Sequence, residues 1–105
     1  MGHDITAFKV KIHTEKEAAY LRRSAFDTDN FIIYEALDCT ELYGGFSGVG
    51  GTRIFTKEEL NDALNYIKGH ENFKDILKKE VNFLESCIKQ LDEKNEDEAI
   101  MITFF

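Results

Sequence analysis

Residues 5–13 read Ile-Thr-Ala-Phe-Lys-Val-Lys-Ile-His, and the alternation in that stretch decides how the rest of the chain is read. Phe8, Val10 and Ile12 alternate with Lys9, Lys11 and His13. Successive side chains of a strand point to opposite faces, so this pattern predicts a half-buried strand with a basic outer face. After the polar stretch Thr14-Glu15-Lys16-Glu17, residues 18–24 (Ala-Ala-Tyr-Leu-Arg-Arg-Ser) read as a second strand. A connection that short joins antiparallel neighbours. Arg22 and Arg23 are adjacent, so a regular strand sends them to opposite faces, and one leans toward the core or a ligand. At the other end, residues 99–105 (Ala-Ile-Met-Ile-Thr-Phe-Phe) are apolar and β-branched. They predict a third strand, internal to the sheet and beside one of the first two.

Helical signals fill the middle. Thr56-Lys57-Glu58-Glu59 is a capping box, in which Thr56 caps the Glu59 amide and the Glu59 side chain reaches back. Leu60, Ala63, Leu64 and Ile67 follow at helical spacing, and Gly69 is a natural stop. The expected helix is 56–68. A further helix is expected over 71–94, with Phe73, Leu77, Val81, Leu84, Ile88 and Leu91 as its stripe and Ile76, Phe83 and Cys87 widening it. At ~1.5 Å per residue such a helix is roughly 35 Å long, about the width of a domain this size, which suggests projection or pairing with another chain. Residues 28–38, entered through Asp27 to Asn30, read as a short buried helix. A buried strand remains the alternative there, because Phe31, Ile32, Ile33 and Tyr34 all favour strands. The expected fold is thus one α+β domain: a three-stranded antiparallel sheet (5–13, 18–24, 99–105) with three helices (28–38, 56–68, 71–94) on one face.

Composition narrows the function classes. The chain has 105 residues, 43% hydrophobic and 31% charged, which fits one folded domain. Its net charge of −7 disfavours nucleic acid as a partner. The charge is uneven, with Lys9, Lys11, Lys16, Arg22 and Arg23 near the start and an acidic run, Asp92 to Glu98, before the last strand. Proline is absent, so sharp turns fall to Gly, Asn and Asp. Cys39 and Cys87 match neither a zinc spacing nor a CxxC motif and read as buried free thiols; a disulfide would need an oxidising compartment. His3, His13 and His70 are scattered, so no metal site is expected, and no cofactor motif is complete. No apolar window reaches membrane-span length and no signal peptide is visible, so the expected location is the cytoplasm. Met1-Gly2 to Thr6 fits a myristoylation pattern, but no polybasic cluster follows.

Five of the seven glycines fall at Gly44, Gly45, Gly48, Gly50 and Gly51. Glycine loses the most backbone entropy on folding, so such a concentration needs a compensating use. A P-loop laid on Gly45 to Thr52 has Gly51 where the phosphate-binding lysine belongs. A dinucleotide fingerprint fails because Arg53 replaces its last glycine, and a nucleophile elbow around Ser47 fails because Val49 replaces its second. Two readings remain. In one, the segment is a structural connection or a partner-binding loop, with Tyr43 and Phe46 as aromatic anchors. In the other, its amides form an anion nest, helped by Ser47, Thr52 and the Arg53 guanidinium, with Arg22 or Arg23 assisting.

The chain resembles small bacterial proteins that begin Met-Gly-x-Asp-Ile. They carry a Tyr-Leu-Arg-Arg strand and place a Gly-Gly-x-Ser-Gly-x-Gly loop before a Phe-Thr-x-Glu-x-Leu helix. Here these features are Met1 to Ile5, Tyr20 to Arg23, Gly44 to Gly50 and Phe55 to Leu60. The likeness covers about the first two-thirds of the chain. It implies no activity, only that the arginine strand and the glycine loop belong together. The leading expectation is a non-enzymatic binding module, with a homodimer through helix 71–94 or strand 99–105 as a candidate assembly. The alternative is a small anion- or nucleotide-binding protein, with catalysis open, built on residues 44–53.

Overall fold

The computed structural model describes residues 2–9, 17–27, 30–69, 77–91 and 99–105. Four strands form one antiparallel sheet: β1 (Gly2–Lys9), β2 (Glu17–Ser24), β3 (Gly51–Thr56) and β4 (Ala99–Phe104). Their order is β2-β1-β4-β3. The expected three-stranded sheet is therefore short by one strand. The missing strand is β3, whose first three residues, Gly51, Thr52 and Arg53, had been read as part of the glycine segment. The hairpin of β1 with β2 is present, and β4 is internal, with β1 on one side and β3 on the other.

The alternation in β1 is real, but its phase is opposite to the expected one. Ile5 and Ala7 are buried together with His3, while Phe8 is only partly covered and pairs with Met101 on the other face. Pairing with β2 slips between Ala7 and Phe8, a bulge of the kind that re-aims side chains. Val10, Ile12 and His13 lie outside the described residues.

Three helices cover one face of the sheet: α1 (Ile32–Ala36), α2 (Lys57–Lys68) and α3 (Lys78–Lys89), with a 3-10 turn at Thr40–Leu42. The helix expected over 28–38 is shorter because the chain turns at Leu37 into that 3-10 segment; residues 28 and 29 lie outside the described ones. Of the helix expected over 71–94, α3 covers Lys78–Lys89; Leu77 precedes it in a turn, Gln90 and Leu91 follow it in a turn and a bend, and residues 71–76 and 92–94 lie outside the described ones. Among the described residues, no helix is long and apolar enough to cross a membrane.

The capping box reads as expected. The Glu59 amide donates to Thr56 Oγ1 (3.2 Å), and the Thr56 amide donates to Glu59 Oε1 (3.0 Å). Thr56 can serve because it also ends edge strand β3, where its amide has no ladder to join. Below the cap, α2 buries Leu60, Ala63, Leu64 and Ile67, each Leu or Ile contributing about 1.5–3 kcal/mol of transfer free energy.

The buried stripe of α3 is rotated from the expected one. Leu77, Leu84 and Leu91 hold their places and Phe83 and Cys87 widen the stripe as expected, but Val81 and Ile88 are only partly covered and Glu80 faces the core; Phe73 and Ile76 lie outside the described residues. Glu80 is fully buried because Arg23 comes from β2 to meet it. Arg23 Nε donates to Oε2 (2.7 Å) and Nη2 to Oε1 (2.5 Å), a bidentate pair with fork geometry. This settles which of the tandem arginines faces inward. Arg22 stands on the opposite face, 3.7 Å from Asp4.

Candidate functional site

The glycine segment is a compact hairpin that leans on the end of the sheet. Tyr43 bridges to Gly48, and the Gly44 amide donates to the Ser47 carbonyl (2.9 Å). The Val49 amide donates to Leu42 (3.0 Å) and the Gly50 amide to Phe104 (2.8 Å). Those amides are committed to the fold, which subtracts them from any anion nest. Ser47 Oγ donates to the Gly48 carbonyl (3.2 Å).

Most of the glycines answer to close contacts. A Cβ on Gly48 would stand 2.5 Å from the Phe104 carbonyl carbon and oxygen, and one on Gly51 would overlap the Leu42 side chain. Gly45 and Gly50 have φ of +91° and +84°, the left-handed region that favours glycine.

Beneath the hairpin lies a buried aromatic and imidazole cluster that the sequence did not single out. His3 Nε2 bonds the Gly45 carbonyl (2.9 Å), and His3 Nδ1 bonds the Tyr34 hydroxyl (2.7 Å). A carbonyl can only accept, so Nε2 carries a hydrogen, and in the neutral ring Nδ1 accepts from Tyr34. The Tyr43 ring stacks on His3 with planes 1° apart, and Phe31 and Tyr34 meet Tyr43 edge-on. Tyr43 donates to Asn30 Oδ1 (3.0 Å), and Asn30 Nδ2 donates to the carbonyls of Ser24 and Ala25. The glycine hairpin and the turn after β2 are thus braced against β1 through side chains. Among the described residues, every buried side-chain nitrogen and oxygen has a hydrogen-bond partner. Burial raises the Tyr34 hydroxyl well above the usual tyrosine range.

The candidate anion-binding residues do not converge. Arg53 Nη2 donates to Glu41 Oε1 (2.5 Å), an exposed pair in which Arg53 holds the Glu41 carboxyl below its usual range. Arg53 sits on β3 at one edge of the sheet, whereas Arg22 and Arg23 sit on β2 at the other. Three strand spacings, about 14 Å, lie between those edges. Thr52 is exposed and pairs with Thr103 on the uncovered face. Of the sequence candidates, Tyr43, Gly44, Gly45, Ser47 and Gly48 stay together in the hairpin, Gly50, Gly51, Thr52 and Arg53 lead into or lie within β3, and Arg22 and Arg23 belong to different faces of β2.

No family model, no curated protein and no solved structure matches this chain. Among the described residues, no cluster of three or more His, Cys, Asp or Glu is placed to hold a metal.

Cys39 and Cys87 are buried free thiols. Burial pushes each thiol from about 9 up to about 12, with the Glu41 charge adding to the effect at Cys39. An unfolded chain releases these protons near pH 9, while the folded chain keeps them until about pH 12. Their contribution to stability is therefore complete below about pH 9 and is lost as pH rises toward 12. Urea-unfolding midpoints should fall through that alkaline window, less steeply for Cys39→Ser/Cys87→Ala, and both native thiols should resist iodoacetamide at neutral pH. Rapid alkylation of either native thiol would contradict this placement.

Proposed function

We propose that this protein is a non-enzymatic binding module whose partner surface is the end of the sheet that carries the glycine hairpin. The observation that carries this reading is that three exposed aromatic residues stand on segments at that same end of the sheet. Phe26 is 86% exposed at the turn after β2, Phe46 is 59% exposed in the hairpin, and Phe105, just past β4, is 55% exposed beside Gly50. Val49 adds a fourth apolar side chain in the hairpin. Aromatic residues, phenylalanine among them, are enriched at the cores of protein–protein interfaces. The supports are braced: the Asp27 amide donates to the Ser24 carbonyl and the Phe26 amide to Ser24 Oγ, while His3 and Tyr43 hold the hairpin. A pre-ordered loop loses little entropy when it binds.

A homodimer remains part of the proposal, in a narrower form. β4 has both backbone edges occupied, so a second copy would meet its exposed face or α3 rather than add to its edge.

Affinity capture from a host lysate tests the reading, with wild type and Phe26→Ser/Phe46→Ser as paired baits. A protein retained by wild type and lost by the variant is the expected result. Exposed substitutions usually change stability by about 0.5 kcal/mol or less, so the variant should stay folded. Equal recovery on both baits would sink the proposed surface. A thermal shift with nucleotides, phosphorylated metabolites or dicarboxylates that Arg53→Ala abolishes would favour the small-anion reading instead.

A further inference from the structure

The sheet has an open edge at β3. Asp4 and Phe105 exchange both amide hydrogen bonds, so Phe105, Thr103 and Met101 direct their backbone groups toward β1. Phe104, Ile102 and Ile100 then direct theirs toward β3, where Gly51, Arg53 and Phe55 stand opposite. Thr52, Ile54 and Thr56 therefore turn their amides and carbonyls away from the sheet. The Thr56 amide donates to Glu59 in the capping box. Among the described residues, no hydrogen bond reaches the outward groups of Thr52 or Ile54, and no strand lies beyond β3.

An edge of this kind takes another strand unless charge, proline or a covering segment blocks it. Thr52 and Ile54 are uncharged and exposed, Ile54 to 59%. Arg53, between them, points to the opposite face, and its guanidinium is engaged by Glu41 of the same chain. The one charge that could guard the edge is thus balanced where it stands.

The edge is complementary to itself. An antiparallel copy of β3, turned about a two-fold axis at Arg53, sets Thr52 of each copy opposite Ile54 of the other. That register pairs the amide and carbonyl of both residues in both copies. An axis at Ile54 would call on Thr56, whose amide the cap holds, and an axis at Thr52 would call on Gly50, whose amide donates to Phe104. The facing Thr52 and Ile54 side chains are both β-branched and suit a pleated surface. At the axis the two Arg53 residues meet, and like charges placed opposite repel. Each brings its own Glu41, so two guanidiniums and two carboxylates sum to zero, and the exposed Glu41–Arg53 pair can be shared between copies. We infer that this protein forms a two-fold dimer by pairing β3 with β3 of a second copy, which joins two four-stranded sheets into one. This contact is distinct from the exposed face of β4 and from α3, and it does not draw on the aromatic end of the sheet.

Sedimentation equilibrium on the full chain, with amide hydrogen exchange read by NMR, tests the inference. Wild type should pass from monomer to dimer mass as its concentration rises from low to high micromolar, and the Thr52 and Ile54 amides should gain protection over the same range. Ile54→Pro removes a donor that bonds nothing within the chain, a change that edge strands tolerate, and it should weaken the dimer about tenfold or more. Glu41→Lys leaves four cations at the axis and should also abolish the dimer, whereas Glu41→Lys/Arg53→Glu restores the balance and should restore it. Melting temperatures establish that the variants fold. Phe26→Ser/Phe46→Ser should dimerise as wild type does, which separates this contact from the aromatic surface. A monomer at every concentration, a dimer indifferent to both Ile54→Pro and Glu41→Lys, or unprotected Thr52 and Ile54 amides in the dimer would each overturn the inference.

Discussion

Glu80→Ala should lower the unfolding free energy by about 3–5 kcal/mol, because it leaves the Arg23 guanidinium buried without its carboxylate. Glu80 is fully buried and Arg23 is 8% exposed, so water cannot easily take over. A domain of this size holds about 5–15 kcal/mol in all, so the variant would sit close to unfolding, with a melting temperature lower by about 12 °C or more. Asp27, whose carboxylate lies 4.0 Å from Arg23, offers partial compensation and places the expected loss toward the lower end. The paired variant Arg23→Met/Glu80→Leu is the sharper measurement. Replacing both charges with apolar groups removes the desolvation cost together with the attraction, so stability should return to near the wild-type value. Urea unfolding of the three proteins decides the matter. A loss under about 1 kcal/mol for Glu80→Ala would show that the pair is hydrated and that the buried placement is wrong.

Gly48→Ala should cost about 3 kcal/mol, the upper part of the range for overpacking. Its Cβ would meet main-chain atoms, 2.5 Å from the Phe104 carbonyl and 2.9 Å from the Phe105 nitrogen. Those atoms cannot retreat, because β4 is bonded on both sides. Gly45→Ala is the control. It meets nothing within 4 Å, and its penalty is confined to the left-handed backbone at φ +91°, about 1–2 kcal/mol. Gly51→Ala meets the buried side chain of Leu42 rather than main-chain atoms, so repacking can absorb part of the overlap. Gly48→Ala should therefore be the most damaging of the three by equilibrium unfolding. Equal losses for Gly48→Ala and Gly45→Ala would mean that the hairpin does not press on β4.

The local parts of this fold were legible before any coordinates. The capping box at Thr56 needs only residues 56 to 59, and the pattern of Leu60, Ala63, Leu64 and Ile67 needs only one helix. β3 was not legible, for a physical reason. Its inward positions are Gly51 and Arg53, and its outward ones include an exposed Ile54, so the usual alternation is inverted. An edge strand can carry such a pattern because only Phe55 must reach the core. The glycines were conspicuous, but their reasons lie in contacts with Leu42 and Phe104, which no local pattern encodes. Arg23 and Glu80 were separated by α1, β3 and α2, so a fully buried glutamate read as an ordinary surface position on a helix. The exposure of Phe26 carried no signal, being that of a single phenylalanine in a turn.

The placement of β4 has a consequence for how the molecule is made. Its central position joins β1 to β3, and Ile5 pairs with Phe104 almost the full length of the chain away. During synthesis, β1 and β2 can form their hairpin early, but β3 has no neighbour to pair with until β4 emerges. The sheet therefore closes in one late step, after nearly every other element has been translated. Pairings of such separation are slow to form, and until then the backbone edges of β1 and β3 that β4 joins stay open. Removal of β4 would leave the β1–β2 pair and β3 as separate fragments rather than a smaller sheet.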